Sequence, residues 1–263
     1  VSDEEFEGVF TVDEQRKIVH LFYSDSVVDC TFRGRRLAAR TIPEGDGFIY
    51  ASGRNFAPVI RNDKLYLSYF RNTEGSFRNP EYFGGAVEAE ADLSNGRVRL
   101  LPQGYPAIYR EHCYSYSYEP ARIAFSDSRH GYLFPHSDSI YLCDLLTGKR
   151  STRFFGVRRQ KQFSYLSYDR IPELNESVFD ELIRKNPQYS SFVSAPLAGF
   201  FLREFLIPPK GDGRTYEQVF AVFDRKLNYI GECETSGWFI DSKNGLLSMQ
   251  LDGTHLLIDK ISW

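Results

Sequence analysis

Residues 121–155 read ARIAFSDSRHGYLFPHSDSIYLCDLLTGKRSTRFF. Short apolar runs alternate here with turn chemistry. Ile123 to Phe125, Gly131 to Phe134, Ser139 to Cys143 and Arg150 to Phe155 read as four strands. Asp127-Ser128-Arg129-His130-Gly131 supplies the first turn, because Asp and Ser bond their own backbone and Gly takes positive φ. Asp144-Leu145-Leu146-Thr147-Gly148 closes the last hairpin with a longer loop. Four antiparallel strands in about 35 residues make one propeller-type blade.

The same turns recur along the chain. Asp92-Leu93-Ser94-Asn95-Gly96-Arg97 and Asp144-Leu145-Leu146-Thr147-Gly148-Lys149 share D-L-x-x-G-[RK], with a weaker third copy at Asp224-Arg225-Lys226-Leu227-Asn228. Phe125 to Gly131 and Phe239 to Gly245 share F-x-D-S-x-x-G. Two turn motifs at equivalent places mark a repeat architecture. Hairpins are expected at Glu7–Phe10 with Lys17–Tyr23, Val27–Phe32 with Arg35–Thr41, Phe56–Ile60 with Leu65–Phe70, and Val87–Asp92 with Arg97–Leu101. A further unit follows at Tyr189–Val193, Gly199–Ile207, Tyr216–Phe223 and Leu227–Cys233. Trp238–Ile240, Leu246–Leu251 and Leu256–Ile261 give three strands, for which Glu7–Phe10 is a candidate fourth. Residues 71–85 form a long polar loop, of the kind that often carries function. Phe163–Tyr168 reads as a strand.

The β pattern breaks at Pro172–Lys185. Val178, Phe179, Leu182 and Ile183 fall on a helical stripe, with Asn175 as N-cap and Pro187 beyond the end. The expectation is an all-β propeller of five to six four-stranded blades in one domain, 1–263, with a short helical insertion at about 172–187.

Composition sets the class. The chain has 263 residues, 42% hydrophobic and 25% charged, which is ordinary for a globular protein. Aromatics reach 16%, with 22 Phe and 17 Tyr against one Met, and they favour pleated sheets. A net charge of -3 gives no electrostatic reason to expect nucleic acid. No apolar run reaches the roughly 18 residues of a membrane-spanning helix. The chain begins Val1-Ser2-Asp3-Glu4-Glu5, acidic and unlike a signal peptide. Cys30, Cys113, Cys143 and Cys233 form no C-x-x-C pair and read as buried thiols.

The run from Asn186-Pro187-Gln188-Tyr189, the strand ending before Pro208-Pro209, the Asp224 to Ile230-Gly231-Glu232 hairpin and the final Gly245-Leu246 strand resemble an uncharacterised family of Bacteroidetes propeller-like lipoproteins. The resemblance covers roughly 172–249. It departs at Ser194-Ala195-Pro196-Leu197, where that family has an aspartate-containing turn. It implies a cell-envelope location, in the periplasm or on the outer-membrane surface, and a TolB-like six-bladed propeller, or seven blades in a full-length relative. It implies no activity.

Catalytic motifs are absent from the sequence. There is no G-x-S-x-G elbow, no phosphate-binding or dinucleotide fingerprint and no H-E-x-x-H. No cofactor or metal is expected; His130 and His136 read as exposed turn residues. Arg158-Arg159-Gln160-Lys161 reads as a solvated turn. One candidate site stands out in Arg110–Tyr118, REHCYSYSY. Strict alternation would put Arg110, His112, Tyr114, Tyr116 and Tyr118 on one strand face. Arg110, His112 and Tyr114 are then candidate ligand-binding residues at a surface pocket, with Tyr116 and Tyr118 in the core. The functional expectation is a monomeric, non-enzymatic binding or scaffold module of the bacterial envelope, taking an unknown glycan, peptide or protein. The alternative is a glycan-active hydrolase or lyase using carboxylates at the central face.

Overall fold

In the computed structural model, residues 9–14, 16–23, 25–43, 56–70, 76–114, 119–159, 163–173, 176–195, 197–209, 216–234, 238–242, 245–252 and 255–260 are described. The alternating runs become antiparallel meanders. The first sheet is β1 (Val9–Asp13), β2 (Ile18–Phe22), β3 (Ser26–Thr31) and β4 (Arg36–Thr41), in that order. The second is β5 (Val59–Arg61), β6 (Lys64–Ser68), β7 (Glu88–Asp92) and β8 (Val98–Leu100). Residues 121–155 form the third, β9 (Ala121–Ser126), β10 (Arg129–Leu133), β11 (Ser139–Asp144) and β12 (Arg150–Phe154). The fourth is β13 (Gln188–Ala195), β14 (Phe200–Ile207), β15 (Glu217–Asp224) and β16 (Tyr229–Glu234). A fifth sheet has three strands, β17 (Trp238–Ser242), β18 (Gly245–Asp252) and β19 (His255–Lys260). The protein is therefore all-β, with four-stranded propeller-type blades.

Four complete blades are present among the described residues, not five or six. The difference has local causes. Val9 and Phe10 pair with Phe22 and Leu21 inside the first sheet, so they do not complete the three-stranded one. Residues 163–168 make no strand: Leu166 forms an isolated bridge to Cys113, and the chain then turns into a 3-10 segment at Tyr168–Glu173. The polar loop coils into two 3-10 turns, Ser76–Arg78 and Pro80–Gly84, the second begun by the Asn79 side chain accepting from the Glu81 N–H. Helix is scarce among the described residues: one turn, α1 (Ile108–Glu111), and α2 (Glu176–Lys185). The expected cap Asn175, and the side chains of Phe179 and Ile183, lie outside the described residues. No helix among the described residues is long and apolar enough to cross a membrane.

The repeated turns sit where the repeat requires. Asp92 and Asp144 each end the third strand of a blade, and their carboxylates accept from Ser94 N–H and from Leu146 and Thr147 N–H. Gly96 and Gly148 then adopt φ of +72 and +70 and return their N–H to the Asp92 and Asp144 carbonyls at 2.8 Å. Asp224 does the same work one residue shorter, taking Lys226 and Asn228 N–H, with Leu227 at φ +65. These bonds to the charged form hold all three carboxyls below the usual aspartate range.

The chain divides into two compact units: Val1–His112 with Arg122–Gly131 and Leu142–Ser151, and Cys113–Ala121 with Tyr132–Tyr141 and Thr152–Trp263. In the first, Phe22, Val27, Ile42, Leu65, Leu67 and Ala91 form a core between the first two blades. Leu65 and Leu67 point one way from β6 while Tyr66 points the other, edge-on to His130 at 5.2 Å. Both faces of this strand are thus covered, and each buried leucine contributes about 1.5–3 kcal/mol. In the second unit, Ala195, Leu202, Phe220 and Val222 form the core. β15 reads VFAVF at its centre with all five residues buried, as a strand covered on both faces must. The outer strands β4 and β12 carry Arg, Ser and Thr and are exposed, which protects the sheet edges from further pairing. None of the four cysteines is joined in a disulfide; Cys30, Cys113 and Cys143 are buried and Cys233 is half-buried.

Candidate functional site

Polar rows run across the blades of the first unit. Registry places Thr11 opposite His20 and His20 opposite Asp29 on three adjacent strands. His20 Nδ1 lies 2.7 Å from Asp29 Oδ1. Arg40 clamps the same carboxylate with Nη2 at 3.0 and 2.8 Å from its two oxygens and reaches Asp63 at 3.2 Å. In the second blade, Lys64 and Arg99 each bond Glu90 at 2.8 Å. Burial alone would raise the Glu90 carboxyl, but these two cations outweigh it and hold it below its ordinary value. Burial and the adjacent Glu90 push the Tyr66 phenol up to about 12. Glu88, fully buried, is held by Arg122 and by His130 Nδ1 at 2.8 Å. Arg122 also donates to the Ala57 carbonyl and lies over the Phe56 ring.

Beside the first of these rows lies a cleft of about 620 Å³, inside the roughly 300–1,000 Å³ range of small-molecule sites. The first hairpins of three successive blades build it. In the β1–β2 turn, Asp13 accepts from Arg16 N–H at 2.9 Å and faces its guanidinium at 3.7 Å. In the β5–β6 turn, Asn62 and Asp63 take φ of +50 and +60, the two positive values of a type I′ hairpin. Arg61, preceding that turn, reaches Asp127 of the β9–β10 turn at 2.9 Å. Val12, Val59 and Ile60 give the cleft an aliphatic portion, and Thr11, Glu14 and His20 complete the wall.

The residues singled out from sequence take other places. Arg110 is exposed on α1, where Tyr109 and Arg110 N–H return to the Pro106 and Ala107 carbonyls, so the chain coils where alternation predicted extension. Tyr109 anchors that turn, packed against Phe83 and Tyr105. His112 closes it, donating its N–H to Ile108 O at 2.9 Å. Arg110 and His112 belong to the first unit and Tyr114 to the second. Tyr114 is 8% exposed and stacks on His136 at 4.6 Å. Tyr116 and Tyr118 lie outside the described residues. His130 and His136 are both buried, not exposed turn residues.

In the second unit, the sequence signature explains itself as structure. Asn186, buried, accepts from Ser164 N–H at 2.8 Å and donates to the Tyr114 and Ser164 carbonyls. Tyr189 donates its hydroxyl to Asp138 at 2.5 Å and accepts from Val157 N–H. Burial pushes its phenol up. Arg203, 1% exposed, lies 3.7 Å over the Tyr189 ring and donates to the Phe155 and Phe134 carbonyls. Arg159 of the basic run is no solvated turn: it bonds Glu217, Glu232 and Glu234. Among the described residues, no three His, Cys, Asp or Glu side chains are placed to hold a metal ion.

Sequence reading missed the cleft because its residues look like ordinary turn residues. The available signal was the repeat, since equivalent hairpins of consecutive blades lie at one rim.

These features define a class: an all-β protein of propeller-type blades with a polar cleft between hairpins. Among solved structures, it is similar to a member of the DUF4221 family from Bacteroides vulgatus, with a TM-score of 0.68 at 16% identity, covering 93% of this chain and 76% of that one. At that identity the likeness concerns the fold. A putative 6-phosphogluconolactonase from Bacteroides fragilis aligns with a TM-score of 0.41 at 12% identity over 95% of this chain and 78% of that chain. The Swd1 β-propeller domain of Myceliophteria thermophila aligns with a TM-score of 0.41 at 9% identity over 98% and 66%. No family model and no curated protein matches the sequence.

Proposed function

We propose that the chain is a non-enzymatic binding or scaffold module of the bacterial cell envelope, acting as a monomer and taking its ligand in the polar cleft. One observation carries the preference for binding over glycan cleavage. A carboxylate pair that breaks a glycosidic bond needs one carboxyl held protonated near neutral pH, which requires an upward displacement. Six carboxyls, Glu90, Asp92, Asp144, Glu181, Asp224 and Glu232, are held below their ordinary range by the donors around them. Among the described residues, the three buried carboxylates of the first unit are each committed to two basic partners: Asp29 and Glu88 to one histidine and one arginine, Glu90 to Lys64 and Arg99. The envelope placement draws on the resemblance of 172–249 to the Bacteroidetes lipoproteins.

The test is an array of glycans and peptides probed with the purified protein. Saturable binding to a defined class supports the module reading. Release of cleaved glycan from the array would instead support the carboxylate enzyme.

A further inference from the structure

The geometry points to a neutral saccharide as the ligand of the cleft, an inference that rests on the binding reading above. His20 carries it. The residue is 4% exposed, yet it lines the cleft. Asp29 holds Nδ1, and Arg40 fixes Asp29 from the other side. With Nδ1 engaged by that carboxylate, Nε2 is left to meet a ligand hydroxyl in a fixed direction. Directly across the strand pair, Thr11 also lines the cleft, and its buried hydroxyl has no hydrogen-bond partner within the protein. A sugar hydroxyl both donates and accepts, and this pair offers one site of each kind.

The ion pairs at the rim fit the same ligand. Arg61 with Asp127, and Arg16 with Asp13, are electrically balanced pairs. Each nevertheless keeps unused guanidinium donors and carboxylate lone pairs. Such pairs recognise neighbouring hydroxyls without requiring charge on the ligand. Val12, Val59 and Ile60 supply an aliphatic surface for the C–H face of a ring. Other ligand classes fit less well. An anion would meet Asp13, Glu14 and Asp127 against two arginines already paired. A metal ion finds no set of ligands among the described residues. An apolar ligand would leave the polar rim desolvated.

Titration of the intact protein by calorimetry, with neutral methyl hexosides and disaccharides, tests the proposal against a uronic acid and a zwitterionic dipeptide. A neutral saccharide is expected to bind at millimolar or lower concentration, with little dependence on salt. His20→Phe should weaken that binding at least tenfold while leaving Asp29 paired with Arg40. Asp127→Ala, at an exposed position, should weaken it severalfold without unfolding the chain. Saccharide binding untouched by Asp127→Ala and by a folded His20→Phe would overturn the assignment of the cleft and leave the module reading standing. Binding of the acid or dipeptide alone, lost in these variants, would overturn the saccharide and keep the cleft. No binding by any probe would overturn the saccharide, while array binding to another class would show that the broader reading survives.

Discussion

Acidification should destabilise the second unit through His136. This ring is buried, stacked on Tyr114 and edge-on to Phe163 at 5.6 Å. Burial lowers its pKa from 6.5 to about 3. Below the ordinary value the unfolded chain binds a proton that the folded chain does not. Stability from this group is therefore complete above about pH 6.5 and is lost progressively as pH falls toward about 3. Each pH unit in that window removes about 1.4 kcal/mol. At about pH 4.5 the accumulated loss is about 2.7 kcal/mol, before most carboxylates titrate. Urea unfolding at a series of pH values measures it. His136→Phe keeps an aromatic ring beside Tyr114 but cannot titrate, so its stability should fall less steeply by that amount. Equal slopes for the two proteins between about pH 6.5 and 4.5 would show that His136 does not couple protonation to unfolding.

Other perturbations test the packing. Gly148 has positive φ and open space around the position of a Cβ, so Gly148→Val should cost about 1–2 kcal/mol through backbone strain alone, and Gly148→Asn less, in thermal unfolding. Arg203→Lys should lose one of the two carbonyl bonds and the flat stack on Tyr189; a loss of at least about 2 kcal/mol in chemical denaturation is expected. Asn186→Leu strands the Ser164 N–H and two carbonyls, and should cost about 2–3 kcal/mol by the same assay. Tyr114→Ala should cost about 3–5 kcal/mol, as truncation of a buried aromatic does; a near-zero change would return Tyr114 to the surface.

Much of the architecture was legible because turns and alternation are local. The β9–β12 blade appears within two residues of its expected strands, since Ser126 accepts from Ser128 N–H in the first turn and Asp144 from Leu146 and Thr147 N–H in the last. The 108–112 turn was not legible. REHCYSYSY alternates as a strand would, but burial of Tyr109 and the preceding Pro106 favour a coil over extension. The charged residues were misread for a related reason. His130 and Arg159 look like surface residues, and only the partners brought by other strands, Glu88 and three glutamates, make their places intelligible. The cleft was hidden in the same way, because Asp13, Arg61 and Asp127 are far apart in sequence and meet through the repeat.

The fate of a bound ligand separates binding from cleavage. A glycan that binds the protein on the array is incubated with it at neutral pH, and the products are resolved by mass spectrometry. Saturable binding with the glycan recovered intact, and binding reduced in Asp127→Ala, is the expected result. Time-dependent cleavage of the bound glycan, abolished by replacing a single carboxylate, would contradict it.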